Sequence, residues 1–301
     1  MNESRLKSAA PKFLLVLTIM FIYILMVFGN IVTSTGSGLA CPDWPLCYGT
    51  INPPKQISIW IEWTHRLLGA TTGILILTSA FITWKIAGSA LRKILEAAVM
   101  LIILAIFLGG MVVLVEAPLL DNLARIALIS SHIIVATLIF TGMILVFRTI
   151  TYGVANNDKA YQLSLFGLLY FQVFLGIFVR YSSAYTACPD FPTCQGSLLP
   201  PDFLPETLLY YTHRVNALVI FLLTFWHLLR TWNRGRKLFY PLVTFGLITL
   251  QAVVGVLLVF TGMFLPVIIL HGAVGFILLG WAAYQSAPHI IPNNGEVEFR
   301  V

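Results

Sequence analysis

Four histidines occupy matched positions in the two halves of the chain, each within a long apolar segment. They are His65, His132, His213 and His271. An ionisable side chain inside an apolar membrane segment is costly and usually serves a function. A single such histidine is most often a hydrogen-bonding contact between helices, but two matched pairs favour another interpretation. Two histidines at one depth, on different helices of one bundle, can bind a haem iron from both sides.

The two halves differ in a carboxylate three residues before the first histidine of each pair. The motif around His65 is E-W-T-H-R and begins with Glu62, whereas the motif around His213 is Y-Y-T-H-R and begins with Tyr210. Residues three apart share a helix face, so the Glu62 carboxyl should overhang the same cavity as the His65 imidazole. A reaction that needs an acid beside a bound group would therefore belong to the first half.

The Glu62 carboxyl has two interpretations, because a buried carboxylate is costly unless it is paired or protonated. It either forms a salt bridge with Arg66 or Arg125, or carries protons and stabilises charge beside a reacting group. Its absence from the second half favours the functional role. Arg66 and Arg214, which follow the two histidines, are candidates to bind haem propionates or to extend to the membrane interface.

A loop bracketed by two cysteines precedes each of these motifs. The loops are Cys41–Cys47, C-P-D-W-P-L-C, and Cys188–Cys194, C-P-D-F-P-T-C. The spacing is not the C-x2-C of zinc sites, and no histidine lies inside either loop. On an outer face each pair is expected to form a disulfide that holds a lid over its bundle; the alternative is a redox-active dithiol that relays electrons. Trp44 and Phe191 either pack over a macrocycle or lie at the membrane interface.

The elements that must position these residues are membrane-spanning helices. Hydrophobic residues make up 58% of the chain and charged residues 10%, which excludes a soluble protein of this size. The apolar runs are near the ~20 residues that a spanning helix needs and are too long for barrel strands. The sequence therefore predicts an all-α polytopic membrane protein with eight transmembrane helices. They lie near 13–34, 59–84, 94–115, 125–148, 161–181, 206–231, 238–260 and 265–285.

The order of loops, helices and histidines predicts two pseudo-symmetric four-helix bundles. The first spans 1–150 and the second 151–301, joined by a polar linker within 148–159. Each half holds an even number of helices, so both have the same orientation, as in a parallel tandem repeat. Gly69 and Gly73 follow His65 at four-residue spacing, a pattern that lets a helix or a flat ligand approach.

The net charge of +6 follows from membrane topology and does not indicate nucleic acid. The protein is expected in the inner (cytoplasmic) membrane. By the positive-inside rule, both termini should lie in the cytoplasm and both cysteine loops should lie outside it. The first apolar run is too long for a cleaved signal sequence and predicts a retained helix. The basic residues before helix one and after helices two, four and six are Arg5, Lys7, Lys12, Lys85, Arg92, Lys93, Arg148, Lys159, Arg230, Arg234, Arg236 and Lys237.

Two further histidines are not expected to bind haem. His227 lies about four turns from His213, a spacing that stacks two haems in some cytochromes, but its only nearby counterpart on helix eight is Gln285. A structural or interfacial role is predicted for His227. The chain after Ser286 is rich in Pro, Asn and Gly, which predicts a loose cytoplasmic tail with a solvated His289.

As a set, these motifs resemble the haem A synthase family, in its bacterial form with cysteine-bearing outer loops. The resemblance covers essentially all helices. It rests on T-G-S-G-L-A-C-P-D-W-P-L-C, E-W-T-H-R, the helix-four histidine, V-R ahead of C-P-D-F-P-T-C, Y-T-H-R and the helix-eight histidine. Each motif alone is weak, whereas the ordered set is highly specific.

The resemblance implies an enzyme that oxidises the C8 methyl group of haem O to a formyl group by two successive hydroxylations, giving haem A for terminal oxidases. His213 and His271 would then ligate a haem b cofactor, His65 and His132 would hold the substrate haem, and Glu62 would be catalytic. Implied partners are the haem O substrate, haem O synthase, a quinol or other membrane electron donor, the lipid bilayer and a second copy of the chain.

Two other functions are compatible with paired histidines. One is a dihaem b-type membrane cytochrome in quinol-linked electron transfer, and the other is a haem exporter or chaperone with exchangeable haem in both halves. The asymmetry between Glu62 and Tyr210 separates them from the enzyme, because a pure electron carrier has no need of it.

Overall fold

The structure, a computed structural model, describes residues 3–115, 122–151, 158–200 and 202–291. Within these ranges the chain forms eight α-helices and one short 3-10 helix at Ala184–Ala187. All eight are long and apolar enough to cross a membrane, so the predicted all-α architecture with eight spans is confirmed. The helices are α1 (Glu3–Ser34), α2 (Ile57–Trp84), α3 (Ser89–Val115), α4 (Asn122–Thr151), α5 (Lys159–Tyr181), α6 (Pro205–Asn233), α7 (Phe239–Phe260) and α8 (Leu265–Ile290).

The helices extend beyond the apolar runs at several ends. Helix α1 begins at Glu3 rather than near residue 13, and α3 begins at Ser89 rather than near residue 94. Hydropathy marks only the part that lies in hydrocarbon, whereas backbone hydrogen bonding continues into the polar flanks.

The ends of the helices carry local signals that the sequence encodes. After α1 ends at Ser34, Gly36 adopts a φ of +66° and the Ser37 N–H donates to the Val32 carbonyl at 2.9 Å. This is the left-handed termination for which glycine is suited. Helix α6 begins at Pro205, whose missing N–H would be unpaired in the first turn in any case. Chain reversals next to the cysteine loops are therefore fixed locally.

The chain divides into two compact units, and the first contains α1 to α4. It consists of Met1–Asn157 together with Ala283–Val301, and the second is Asp158–Ala282. In the first unit α1 packs against α2 and α4, and α3 packs against the same two helices. The four helices therefore close into a ring.

The second unit has a core to which four helices contribute. Helix α6 packs on α5 and α7, and α8 joins them through buried side chains. That both units are copies of one bundle stays a prediction, and most of the predicted linker, 152–157, lies outside the described residues. The buried core side chains are Leu165, Leu169, Ile220, Ile248, Leu278, Leu279 and Ala282.

The predicted start of the tail is wrong. Helix α8 continues to Ile290, and Ser286 and Ala287 are fully buried. His289 accordingly lies half-buried in the last turn of a helix rather than in a solvated tail. Residues 287–291 read A-P-H-I-I, so apolar side chains continue past the polar Ser286, and a proline inside a helix did not end it.

Candidate functional site

Each of the four predicted haem-binding histidines packs its imidazole against a glycine of a neighbouring helix. A Cβ added to any of these glycines would stand only 3.1–3.2 Å from the imidazole Cε1. That spacing is below ordinary van der Waals contact, so a side chain there would push the ring away. The pairs are His65 with Gly29 of α1, His132 with Gly109 of α3, His213 with Gly176 of α5, and His271 with Gly255 of α7.

Within each unit the two histidines lie on different helices of one bundle. His65 on α2 and His132 on α4 face glycines of α1 and α3, and His213 on α6 and His271 on α8 face glycines of α5 and α7. Two imidazoles on different helices of one bundle are the arrangement that haem ligation by two histidines requires. Iron ligation itself stays a prediction.

The ring nitrogens of the first unit fit a haem ligand. His132 Nδ1 lies 3.0 Å from the Ala105 carbonyl oxygen, and because a carbonyl only accepts, Nδ1 carries the proton. His132 Nε2 is then the nitrogen with the lone pair, which is the form that binds iron. His65 Nδ1 is buried and has no hydrogen-bond partner among the described residues. No atom lies within 4 Å of a Cβ added at Gly69 or Gly73, so open space follows His65 along its helix.

The second unit places a glutamine beside each histidine. Gln172 Nε2 lies 3.2 Å from both ring nitrogens of His213. Gln251 Nε2 lies 3.3 Å from Nδ1 and 3.2 Å from Nε2 of His271. The two imidazoles are thus held between a glycine and an amide, so their orientation is restricted on two sides.

Glu62 is buried, with 3% of its surface exposed, and both of its oxygens are hydrogen-bonded. Oε2 accepts from the Cys41 N–H at 2.7 Å, and Oε1 accepts from the Arg66 guanidinium. The predicted salt bridge is therefore present, with Arg66 as partner. Each carboxylate oxygen can accept more than one hydrogen bond, so the same carboxyl can still bind a polar group on a substrate. Its catalytic role stays a prediction.

Tyr210 takes the place of Glu62 in the second unit and makes a different contact. Its side chain is buried, and the Arg214 guanidinium lies over its ring at 4.2 Å from the centroid. A cation–π contact thus replaces the ion pair of the first unit. A tyrosine ring offers no carboxylate to a bound group, so the two units differ chemically at this position.

Arg66 and Arg214 both anchor the cysteine loop that precedes them. Each guanidinium donates to three backbone carbonyls of its own loop, and propionate binding by either arginine stays a prediction. The acceptors of Arg66 are Cys41, Asp43 and Leu46. The acceptors of Arg214 are Cys188, at 2.8 Å, Asp190, at 2.9 Å, and Thr193, at 2.8 Å.

Each loop is closed by a disulfide, and the first loop also packs on helix α3 of its own unit. Cys41 is bonded to Cys47 and Cys188 to Cys194, with Cα–Cα distances of 4.9 and 4.5 Å. The Trp44 indole lies 3.3 Å from where a Cβ of Gly110 would stand. Gly110 follows Gly109, the glycine that faces His132, so the first loop packs on α3 one residue from that contact.

An aspartate in each loop caps the turn that follows the second cysteine. Asp43 accepts from the N–H groups of Tyr48 and Gly49, and Asp190 accepts from those of Gln195, at 2.6 Å, and Gly196, at 2.8 Å. These turn residues all have φ between +53° and +78°, as in a type I′ turn. The Thr193 hydroxyl and the Gly196 N–H lower the pKa of Asp190 to about 2. The Gly49 N–H lowers the pKa of Asp43.

Sequence reasoning did not assign the residues that surround the histidines. The residues it missed each contact a histidine on a neighbouring helix, and such a contact is not visible in the sequence. They are Gly29, Gly176, Gln172 and Gln251. A signal was present: the helix before each histidine-bearing helix carries a glycine, and a glutamine stands four residues ahead of Gly176 and Gly255.

Comparison with known proteins agrees with these features. Residues 12–283 match the model of the COX15-CtaA family, described as cytochrome oxidase assembly protein. The chain is 30% identical to the heme A synthase of Bacillus pumilus (strain SAFR-032), covering 91% of this chain and 94% of that protein. It is also 30% identical to the heme A synthases of Bacillus mycoides (strain KBAB4) and Bacillus cereus (strain G9842), covering 86% of this chain and 87% of each relative. With its eight apolar helices, the chain is a multi-pass membrane protein that belongs to the COX15-CtaA family of cytochrome oxidase assembly proteins.

Proposed function

We propose that this chain is a haem A synthase, which oxidises the C8 methyl group of haem O to a formyl group. Two relatives named heme A synthase are 30% identical to this chain, and the match covers 94% and 87% of their lengths. The observation that carries the proposal is the buried carboxyl of Glu62, three residues before His65, in only one of the two histidine sites. A protein that only moved electrons through two haems would not need an acid at one of them.

The reaction explains why a carboxylate belongs there. The methyl group is hydroxylated to an alcohol and then to a gem-diol, which loses water to give the aldehyde. Relative to water, the change is R–CH3 + H2O → R–CHO + 4 H⁺ + 4 e⁻. It therefore requires an external acceptor for four electrons, as well as a group that takes protons beside the reacting carbon. Glu62 is the group that accepts or holds a proton there, while Arg66 and the Cys41 N–H fix the direction of its carboxylate.

The two units take different roles in this proposal. His65 and His132 hold the substrate haem beside Glu62. His213 and His271 would hold a haem b, and a haem held by two histidines would supply one-electron transfer. The glycine that faces each of the four imidazoles supports both assignments. The proton-handling group then lies in one unit and the electron-transfer group in the other.

The decisive variant is Glu62→Gln, with Tyr210→Phe as its matched control in the second unit. Each variant is produced in cells that supply haem O, and the extracted haems are identified by mass. We expect Glu62→Gln to lower haem A formation by about 100-fold or more, the usual scale for loss of a general acid–base group. Haem O or its hydroxylated form should accumulate.

Tyr210→Phe keeps the ring that faces Arg214 and should form haem A at close to the wild-type rate. Haem b should remain bound in both variants, since neither change touches His213 or His271. Wild-type haem A formation by Glu62→Gln would refute the catalytic role. Wild-type protein that binds haem O but never alters its C8 methyl group would refute the proposed function as a whole.

A further inference from the structure

Two glutamines contact the histidines of the second unit in the same way. In each case the amide nitrogen is almost equidistant from the two ring nitrogens, at 3.2–3.3 Å. In the ring plane, points at that distance from both nitrogens lie against ring carbons. The amide nitrogen must therefore lie over the face of the imidazole, so the amide itself does not block the in-plane direction in which Nε2 would bind a metal.

Each amide is itself held in place by the helix that carries the histidine. Gln172 Nε2 also donates to the His213 carbonyl at 3.1 Å, and Asn216 donates to Gln172 Oε1 at 2.7 Å. Gln251 Nε2 donates to the His271 carbonyl at 3.1 Å. These contacts define which end of each amide is the N–H end, so an N–H dipole is presented to each ring.

The first unit lacks this arrangement. The residues four before Gly29 and Gly109, the positions equivalent to the glutamines, are Leu25 and Ala105. His132 is held instead through its Nδ1 by the Ala105 carbonyl. An amide over the imidazole face is thus a feature of only the second pair of histidines in the described structure.

We propose that Gln172 and Gln251 are positioning residues for the cofactor haem: they fix the planes of its two axial imidazoles and tune its reduction potential. The proposal rests on the assignment of haem b to His213 and His271. A haem that stays bound and cycles between two redox states benefits from ligands whose orientation does not change. A substrate haem has to enter and leave its site, and the histidines proposed to hold it have no glutamine amide over their rings.

The expected sign of the electrostatic effect follows from the donor. An N–H group over an aromatic face is a weak hydrogen bond to the ring, and it withdraws electron density from the imidazole. A weaker donor to iron favours the ferrous state. Removing both amides should therefore favour the ferric state and lower the reduction potential, in line with the general control of potential by groups around a ligand.

The test uses Gln172→Met/Gln251→Met in the full-length protein purified with its haem b. Methionine matches the length of glutamine and forms helices, but it has no donor. Two readouts apply: the reduction potential, and the electron paramagnetic resonance g values, which report the angle between the imidazole planes. We expect the ratio of ferric to ferrous haem at a fixed potential to rise about tenfold, a fall of about 59 mV for one electron, together with shifted g values.

Gln162→Met on the same helix is the matched control, because Gln162 is a buried glutamine ten residues from Gln172. It should change neither readout. Unchanged potential and g values in the double variant would overturn the proposal. If the double variant binds too little haem to measure, the single variants Gln172→Met and Gln251→Met take its place, because each keeps one amide. Unchanged potential and g values in both single variants would then overturn the proposal.

A separate arm distinguishes failure of this inference from failure of the underlying assignment. His271→Ala should abolish the low-spin haem b signal of the wild-type protein. If that signal survives in His271→Ala, the haem assignment is wrong. If the signal is lost there but both readouts are unchanged in the glutamine variants, only the positioning role is wrong.

Discussion

At the scale of single residues, the repeated unit of this protein is a glycine facing a histidine across two helices. The glycine does not act through backbone flexibility, because it lies within a regular helix. It acts through the absence of a side chain, which lets the imidazole approach the neighbouring backbone. The contact therefore predicts a steric effect of substitution rather than a conformational one.

Gly176→Ala tests this contact. The new Cβ would stand 3.2 Å from His213 Cε1, so the ring or the helix must shift by a few tenths of an ångström. We expect a loss of roughly 1–3 kcal/mol in unfolding free energy, the usual cost of overpacking, and an altered haem b absorption spectrum. Thermal unfolding and the absorption spectrum of the purified protein measure the two effects.

Gly167→Ala is the matched control on the same helix. No atom lies within 4 Å of the position its Cβ would take, and alanine forms helices better than glycine by about 1 kcal/mol. Its stability should be equal or slightly higher, and its haem spectrum unchanged. Equal behaviour of the two variants would contradict a specific contact at Gly176.

Arg66 connects the loop to the carboxyl in a way that its counterpart does not. It binds three carbonyls of the first loop and also Glu62, and the Cys41 N–H binds the same carboxyl. Arg214 binds its loop but faces the Tyr210 ring. The position of Glu62 is thus coupled to the disulfide-closed loop of the first unit.

At the scale of structural elements, the same three interactions hold each loop in shape: a disulfide, an arginine that donates to loop carbonyls, and an aspartate that caps the turn. Of these three, the aspartate interaction depends on pH. The pKa of Asp190 is lowered to about 2 by hydrogen bonds from Thr193 and Gly196, whereas an ordinary aspartate has a pKa of about 3.9. Its contribution to stability is therefore complete above about pH 4 and is lost as the pH falls towards 2.

Asp190→Asn should remove this pH dependence. The variant should be less stable than the wild type at pH 7, because an amide oxygen is a weaker acceptor than a carboxylate. The difference between the two proteins should shrink as the pH falls from about 4 towards 2, where the wild-type carboxyl becomes protonated. Thermal unfolding across this range provides the measurement.

Asp202→Asn, in the same inter-helix segment, serves as the control for a general charge effect. Asp202 accepts a hydrogen bond from the Leu204 N–H, and among the described residues no hydrogen bond joins it to the turn after Cys194. If the stability difference between Asp190→Asn and wild type stayed constant down to pH 2, the cap would not be the titrating group.

The sequence predicts the helices well because their driving force is a local property of composition. Every predicted span overlaps an observed helix, since in lipid an apolar run must satisfy its own backbone. The end of α8 was predicted wrongly, because the Pro, Asn and Gly residues after Ser286 are typical of a tail, whereas the burial of Ser286 and Ala287 depends on tertiary packing.

The surroundings of the histidines could not be predicted with the same success. The role of a glycine on α5 depends on its contact with α6. A single sequence does not show how each helix is rotated about its axis, so it does not show which residues face the neighbouring helix. The same holds for Gln172 and Gln251, which look like ordinary polar residues in apolar helices. The aspartates at 43 and 190 were visible in the repeated C-P-D motif, but their role depends on turns with positive φ that become evident only in three dimensions.

At the scale of the whole molecule, orientation in the membrane decides where the chemistry takes place. The proposed orientation puts both cysteine loops outside, where disulfides persist, and both termini in the cytoplasm. Lys55 and Arg234 offer a matched pair of positions to test it. Both are exposed basic residues; Lys55 lies between the first loop and α2, and Arg234 lies between α6 and α7.

Single cysteines at these two positions should react differently with a membrane-impermeant maleimide. All four native cysteines are in disulfides, so the unmodified protein gives no background. We expect Lys55→Cys to be labelled in intact cells and Arg234→Cys only after the membrane is permeabilised. The opposite pattern would place the loops in the reducing cytoplasm, where neither disulfide would persist and the loop-held position of Glu62 would be lost.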